Sequence, residues 1–497
     1  MPTPAVLAID QGTTGSTCLV VGRDGNVLGR SYSEFTQHFP QSGWVEHDAE
    51  KIYRNTVEAV ATLLARGKVS KKNIAGISIT NQRETFVVFD KESGEPLYNA
   101  IVWQCRRGEE ICRHLVEAGH EPLVQERTGL KIDTYFPASK IGWLLNDQPT
   151  IANKLADGEA YVGTIDAYLI YRLTGGRVFA TDQTNASRTL LFDINKLAWD
   201  DELCELFGVP RSALPEVYDS NAVFGETDFD GLLDKPLPIS GVMGDSQAAL
   251  FAQHCFEPGT CKVTFGTGSS VLLNIGEQPA FSNRGIVTAV AWVIAGQPAY
   301  AFEGITNFTG ATITWLRDQL GLIESVEETE ELVRAVDDNG GVHLIPAFVG
   351  LSAPYWEPRA RAAIVGLSPA SNRSHVVRAA LEGIAFRIRD VLQLMVQDAG
   401  VPLQHIHADG GAVQNSFLMQ FVADEVQVTV RASRLAELSA QGAALAGMLG
   451  TGIYESLDDL KQLRQPFVDY KPSIDAAAAD RAYQDWLLAV NQVLANF

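Results

Sequence analysis

Residues Ala5 to Val21 read AVLAIDQGTTGSTCLVV, and this stretch decides the fold. Two apolar, β-prone runs, Ala5–Ile9 and Cys18–Val21, flank a turn of Gly, Thr and Ser, the pattern of a hairpin with a small-residue tip. Gly12 and Gly15 can take positive φ and let backbone N–H groups face an anion closely. Thr13, Thr14, Ser16 and Thr17 add hydroxyls at the same place. Asp10, at the end of the first strand, is the candidate metal ligand, its carboxylate holding hydrated Mg²⁺ beside phosphates. An ordinary hairpin accounts for the same residues.

A second copy weighs against the ordinary hairpin. Val263 to Asn274 reads VTFGTGSSVLLN, again strand, Gly-Thr-Gly-Ser-Ser, strand, about half the chain further on. Two such hairpins facing across a cleft would grip one polyphosphate from both sides. The pattern resembles the actin-like ATPase architecture, α/β with two duplicated RNase H-like domains around a nucleotide and substrate cleft. Neither G-x-x-x-x-G-K-[ST] nor G-x-G-x-x-G occurs, which removes the fingerprints of the P-loop and Rossmann classes.

At 497 residues the chain is too long for one ordinary core, so two domains are expected, 1–254 and 255–497, with Cys255–Thr260 as the crossing. A net charge of −21 disfavours nucleic acid, and any nucleotide phosphate must be held by local groups and Mg²⁺. Six cysteines without a C-x-x-C pair read as reduced thiols and favour a cytoplasmic location. The start lacks signal-peptide features and no apolar run reaches the roughly 18 residues of a membrane span, so membrane insertion is not expected.

In the first half, Asp48 is placed to cap a helix with apolar positions Ile52, Val57, Val60 and Leu64. Asn73–Thr80 reads as a buried strand running into Asn81-Gln82-Arg83-Glu84-Thr85. That cluster is either a solvated turn with a surface ion pair, or a fork of Arg donors and a Glu acceptor facing a hydroxylated substrate. Trp103 offers a flat apolar wall beside it, or a core residue. Leu237–Gly244 reads as a strand ending at Asp245, with the helix-like SQAALFAQ beyond. Asp245 there is either a helix cap or a reactive carboxylate.

In the second half, Gly285–Ala301 reads as one strand region, and Ile313, Leu316 and Leu320 as one helical face after Gly310. Ser374 is expected to cap a long helix through Gln397. Ile406–Ala408, two glycines at Gly410 and Gly411, and a helix from Asn415 would let a nucleotide base or ribose lie on bare backbone. The tail from Ile474 reads as an acidic helix packing through Trp486 and Leu488.

GWVEHD (43–48), ITNQRET (79–85), YNAIVWQCRR (98–107), TNASRTL (184–190) and PISGVMGD (238–245) resemble the signature stretches of the glycerol-phosphorylating branch of the FGGY family of carbohydrate kinases, almost end to end. The resemblance implies ATP and Mg²⁺ as cofactors and a small polyol as substrate. It places Arg83, Glu84, Trp103, Tyr135, Asp245 and Ser246 at the polyol and makes Asp245 the general base. Thr13, Thr14, Gly15, Thr267 and Gly310 fall to the phosphates and ribose, and Thr314, Gly411 and Asn415 to the adenine end. The expected partners are the polyol and ATP; a homodimer or homotetramer stays open.

The chain also departs from that pattern. Ser246 stands where the family usually carries Gln, Thr314 where it carries Gln, Thr17 where it carries Arg, and Ser270 where an aromatic lines the glycerol pocket. Leu233-Asp234-Lys235-Pro236 occupies the place of a fructose 1,6-bisphosphate-binding Gly-Gly-Thr-Arg segment of some bacterial members. A widened pocket is expected to admit larger polyols such as erythritol or threitol, unless Phe308 fills the gap. An actin-like ATPase without kinase activity is the rival class, and it leaves Arg83, Glu84, Trp103 and Asp245 without a joint role.

Overall fold

A computed structural model describes residues 3–67 and 69–495. Ala5–Ile9 is fully buried, the signature of a central strand covered on both faces. It opens a six-stranded sheet in the order Val223–Thr227, Leu237–Gly244, Ile74–Asn81, Ala5–Gln11, Gly15–Gly22, Val27–Glu34. The three strands from Leu237–Gly244 to Ala5–Gln11 run parallel, and the hairpin strands beyond them alternate in direction.

A second sheet repeats this plan: Val287–Ile294, Gln297–Thr306, Ser269–Gly276, Thr260–Phe265, His405–Asp409, Thr429–Ser433, Phe467–Tyr470. Its hairpin Thr260–Phe265/Ser269–Gly276 is antiparallel, and His405–Asp409 and Thr429–Ser433 follow in parallel. Leaving aside the edge strands Val223–Thr227, Val287–Ile294 and Phe467–Tyr470, each sheet sets its third, second, first, fourth and fifth strands side by side in that order. The duplication expected from the two hairpins is therefore present in the topology.

Several local expectations hold. Asp48 caps Ala49–Ala65 by accepting from the Lys51 N–H, and Ile52 and Val60 are buried. Others are corrected. Gly12 and Gly15 do not adopt positive φ; a Cβ on Gly15 would lie 2.6 Å from the Tyr32 ring, so that glycine answers to packing. Gly285–Ala301 holds one complete strand and the start of another, Val287–Ile294 and Gln297–Thr306, turning at Ala295 and Gly296, both at positive φ. The cap of Arg373–Ala399 is Asn372, whose carbonyl reaches the Ser374 and His375 N–H groups; Ser374 lies inside the first turn. Leu320 lies beyond the helix Gly310–Asp318 and is exposed, as is Leu488, whereas Trp486 is fully buried against Phe386.

One packing relation joins the halves. The helix Leu438–Gly450 lies against the first sheet and against the helix Asp245–Ala252. Its sequence LSAQGAALAGMLG supplies the small residues that such an approach needs. A Cβ on Gly442 would lie 1.8 Å from the Ala248 carbonyl, and one on Gly447 2.0 Å from the Ser78 Oγ. The resulting core mixes Val6, Leu19 and Met243 with Leu272, Trp292, Ala444 and Met448. That contact fixes the helix whose first residue is Asp245. Among the described residues no helix is long and apolar enough to cross a membrane, and all six cysteines are unpaired and buried.

Candidate active site

The strand Ile74–Asn81 delivers Arg83 and Glu84 into the interior, both buried, with Glu84 at φ 61°. The solvated-turn reading is thereby excluded. Arg83 donates to Glu303 from Nη2 at 2.7 Å and from Nη1 at 3.2 Å, and its Nε lies 3.3 Å from Asp245. Glu84 accepts from the Arg188 Nε at 2.7 Å, and Arg188 also meets Glu303 at 2.7 Å. Two arginines and two glutamates thus form one buried, charge-balanced cluster. Burial alone would raise the Glu303 carboxyl, yet Arg188 and Arg83 hold it at about 2. At Glu84 burial outweighs the same two cations and the shift is upward.

Asp245 is the first residue of its helix, and the cap position belongs to Gly244, which makes no side-chain cap. The Asp245 Oδ1 accepts from the Ser246 N–H at 2.6 Å, and the carboxylate also lines the site. Its side chain remains 40% exposed, so its ion pair with Arg83 is open to solvent on one side. The Gly244 N–H donates to the Thr184 Oγ1, which ties the end of that strand to the TNASRTL segment.

Trp103 and Tyr135 meet edge to face at 5.6 Å, and the Trp103 Nε1 donates to the Thr13 Oγ1 at 3.1 Å. Beneath them Lys140 is fully buried and donates to the carbonyls of Thr134, Tyr135 and Trp103. Burial lowers its ammonium to about 8. With Thr13, Arg83, Glu84, Asp245, Ser246, Ser270, Glu303 and Ile305, this wall encloses a cavity of about 180 Å³. Phe308 does not fill the space beside Ser270; it packs on Phe348, and Ile305 is the cross-strand neighbour of Ser270.

A larger cavity of about 550 Å³ adjoins the first and shares Asp245, Ser246 and Ser270 with it. Its floor follows from the register of the second sheet. Ile305, Ser270, Thr264 and Asp409 form one row, and Glu303, Leu272, Lys262 and His407 the next. Partners in register share a face. One sheet face thus runs from the small cavity into the large one.

The phosphate hairpins close in the same way, Gly12 N–H to the Gly15 carbonyl and Gly266 N–H to the Gly268 carbonyl, both at 2.9 Å. Thr14 and Thr267 are exposed at their tips. The helix Gly310–Asp318 sets its N-terminus on the second tip, where the Gly310 N–H donates to the Gly266 carbonyl. Thr314 is exposed on that helix. Gly411 and Asn415 share a turn with Asp409 and Gly410 but lie outside the cavity lining. Asn415 caps Ser416–Val426 through Leu418 and donates to Thr329. Gly410, at φ 94° against the Phe265 backbone, is the glycine this turn requires.

Asp10 has no hydrogen-bond or ion-pair partner among the described residues. Burial, then the carboxylates of Asp245 and Glu437, push it up to about 8. An unpartnered carboxylate beside two others fits a divalent cation, which would neutralise the repulsion. No cluster of three or more metal-ligating side chains occurs among the described residues, so a cation at Asp10 would need further ligands from water and substrate phosphates.

Lys140, Arg188, Lys262, Glu303 and Ile305 carry no assignment from sequence. Lys262 and Glu303 carried a signal, a charge inside an apolar strand (TCKVTF, YAFEGIT). Arg188 and Lys140 lie in the signature stretch TNASRTL and in DTYFPASK, where nothing local distinguishes them.

The chain was compared with known proteins. Residues 5–252 match the N-terminal domain of the FGGY family of carbohydrate kinases and residues 261–451 its C-terminal domain. A protein of Desulfitobacterium hafniense named glycerol kinase is 46% identical over 98% of this chain and 99% of its own length. One of Symbiobacterium thermophilum with the same name is 47% identical over 98% of each chain. The crystal structure of Plasmodium falciparum glycerol kinase with ADP superposes at a TM-score of 0.94, with 34% identity, over 99% of this chain and 98% of that one. With both halves matched in order and nearly the whole length aligned, the chain belongs to the FGGY family of carbohydrate kinases.

Proposed function

We propose that the chain transfers the terminal phosphoryl group of ATP to a primary hydroxyl of glycerol, giving sn-glycerol 3-phosphate and ADP. The observation that carries this reading is the position of Asp245. It lines both cavities, at a helix N-terminus, within ion-pair distance of Arg83.

In this reading Arg83 and Glu84 orient the polyol hydroxyls, with Trp103 and Tyr135 against its carbon face. Asp245 takes the hydroxyl proton as oxygen bonds to the terminal phosphorus, and the bond to the ADP oxygen breaks. Thr13, Thr14, Gly15, Thr267 and Gly310 meet the phosphates, while Thr314, Gly411 and Asn415 lie at the adenine end. Asp10 would hold Mg²⁺, which neutralises phosphate charge when bound. Closure of the halves, divided between residues 254 and 255, excludes water from the transfer. The buried, unpaired thiols support a reducing, cytoplasmic setting. A coupled assay of ADP release with and without glycerol tests the function. Release should depend on glycerol, and an ATPase indifferent to it would overturn the reading.

A second substrate reading rests on Ser270. Its Oγ is buried and has no hydrogen-bond partner among the described residues. Ser270 lines both the smaller cavity and the larger one adjoining it, so a polyol longer than glycerol has space to extend past it. Four-carbon polyols are therefore accepted beside glycerol, their extra hydroxyl meeting Ser270. Ser270→Phe should cut kcat/KM for erythritol and threitol roughly 10- to 200-fold relative to glycerol. A companion Ile305→Ala makes room for the ring should both substrates suffer. A wild type inactive on both tetritols, with selectivity unchanged in the variants, overturns this reading.

A further inference from the structure

We propose that Lys262 binds the terminal phosphoryl group of the nucleotide as the fixed cation of the cleft. This rests on the kinase reading and adds to it a phosphate-binding residue.

Lys262 lies within the interior strand Thr260–Phe265 and is 2% exposed, yet it lines the larger cavity. Its ammonium has no hydrogen-bond or ion-pair partner among the described residues. The register explains why. Its neighbours on the same face are Leu272 on one side and His407 on the other. His407 is buried, and burial holds it well below the usual imidazole range, so it is neutral. The nearest carboxylate along that row is Glu303, beyond Leu272, and both of its oxygens are already held by Arg83 and Arg188.

A buried ammonium without an anion is costly, and the usual outcome is pairing. Lys262 lines the larger cavity, and from that side an anion can reach it. The remaining charged groups of its lining are Asp245, Asp409, Glu437 and Arg434, and Arg434 is exposed. Three carboxylates and a net charge of −21 repel a polyanion, so a nucleotide tail needs a compensating cation that is already in place. Thr17, at the first hairpin, offers no charge. Lys262 shares the cavity with Asp245, so an anion that it holds lies beside the proposed general base. In a chain that transfers phosphate from ATP, that anion is the terminal phosphoryl group, and a fixed ammonium there also stabilises charge during transfer.

The test uses Lys262→Met, which keeps the length and apolar stem, and Lys262→Arg, which keeps the charge. Binding of MgATP and MgADP to the full chain is measured by calorimetry without polyol, with thermal unfolding of each variant alongside. The expected result for Lys262→Met is a roughly 10- to 100-fold loss of MgATP affinity with a much smaller loss for MgADP. Lys262→Arg should recover part of the ATP preference, and the Met variant should unfold at the wild-type midpoint or above it, an unpaired buried charge having been removed. An ATP-to-ADP affinity ratio equal to wild type in Lys262→Met overturns the proposal, whether both affinities fall together or neither moves. Since no polyol is present, a wild type that binds MgATP but ignores glycerol would refute the glycerol reading and leave this measurement decisive.

Discussion

Asp245→Asn should lose kcat by about a hundredfold or more, because general-base catalysis is typically worth 10²–10⁴-fold. The amide keeps the shape of the carboxylate, and its Oδ1 can still accept from the Ser246 N–H at the start of Asp245–Ala252. Arg83 stays anchored on Glu303 by two hydrogen bonds, so the polyol site keeps its shape. MgATP affinity should change little. The measurement is kcat and KM for both substrates together with direct nucleotide binding. A variant retaining most of its kcat would place the base elsewhere; one that lost ATP binding as strongly as turnover would make Asp245 a ligand of the nucleotide.

Glu303→Gln should be the most damaging change outside the reacting groups. Glu303 is buried and faces two guanidiniums at 2.7 Å. Its neutral amide leaves Arg188 with Glu84 alone and Arg83 with Glu84 and the half-exposed Asp245. Breaking one member of a buried ionic cluster costs about 3–5 kcal/mol, because a charge is left uncompensated. Arg83 would then turn toward its other carboxylate, Asp245, at 3.3 Å, and draw it from the substrate hydroxyl. Expected are a lower unfolding midpoint and a kcat/KM for glycerol reduced by about tenfold or more.

The pH dependence has a definite sign. The folded Glu303 carboxyl sits near 2, below its unfolded value of 4.5. Its stabilisation is complete above about 4.5 and is lost as pH falls toward 2. The stability gap between wild type and the Gln variant should therefore be full at neutral pH and narrow only below about 4.5. Equal midpoints and equal kinetics at neutral pH would show that the cluster does not hold Arg83 in place.

Local chemistry made much of this protein legible from sequence. The paired motifs AIDQGTTGS and VTFGTGSS are short-range patterns of apolar strand and small-residue turn. Their spacing by half the chain announces a duplication because each copy opens one sheet. Arg83, Glu84, Trp103 and Asp245 were legible as candidates since each is polar or aromatic at the end of an apolar run. The sequence alone thus determined the α/β class and the duplicated plan, and offered these four residues as candidates, each with an ordinary structural reading beside it.

The tertiary structure alone decided which groups meet. Glu303 is 220 residues from Arg83, and Arg188 is 104 from Glu84, so no local pattern links either pair. Ile305 faces Ser270 through strand register, whereas Phe308 lies beyond the end of Gln297–Thr306 and packs on Phe348. Leu438–Gly450 is a run of small residues in sequence, and only its crossing with Asp245–Ala252 gives those glycines their purpose. Lys262 was one charge in an apolar strand; that it has no ion-pair partner among the described residues is a property of the sheet, since neighbours across strands are chosen by pairing and not by proximity in the chain.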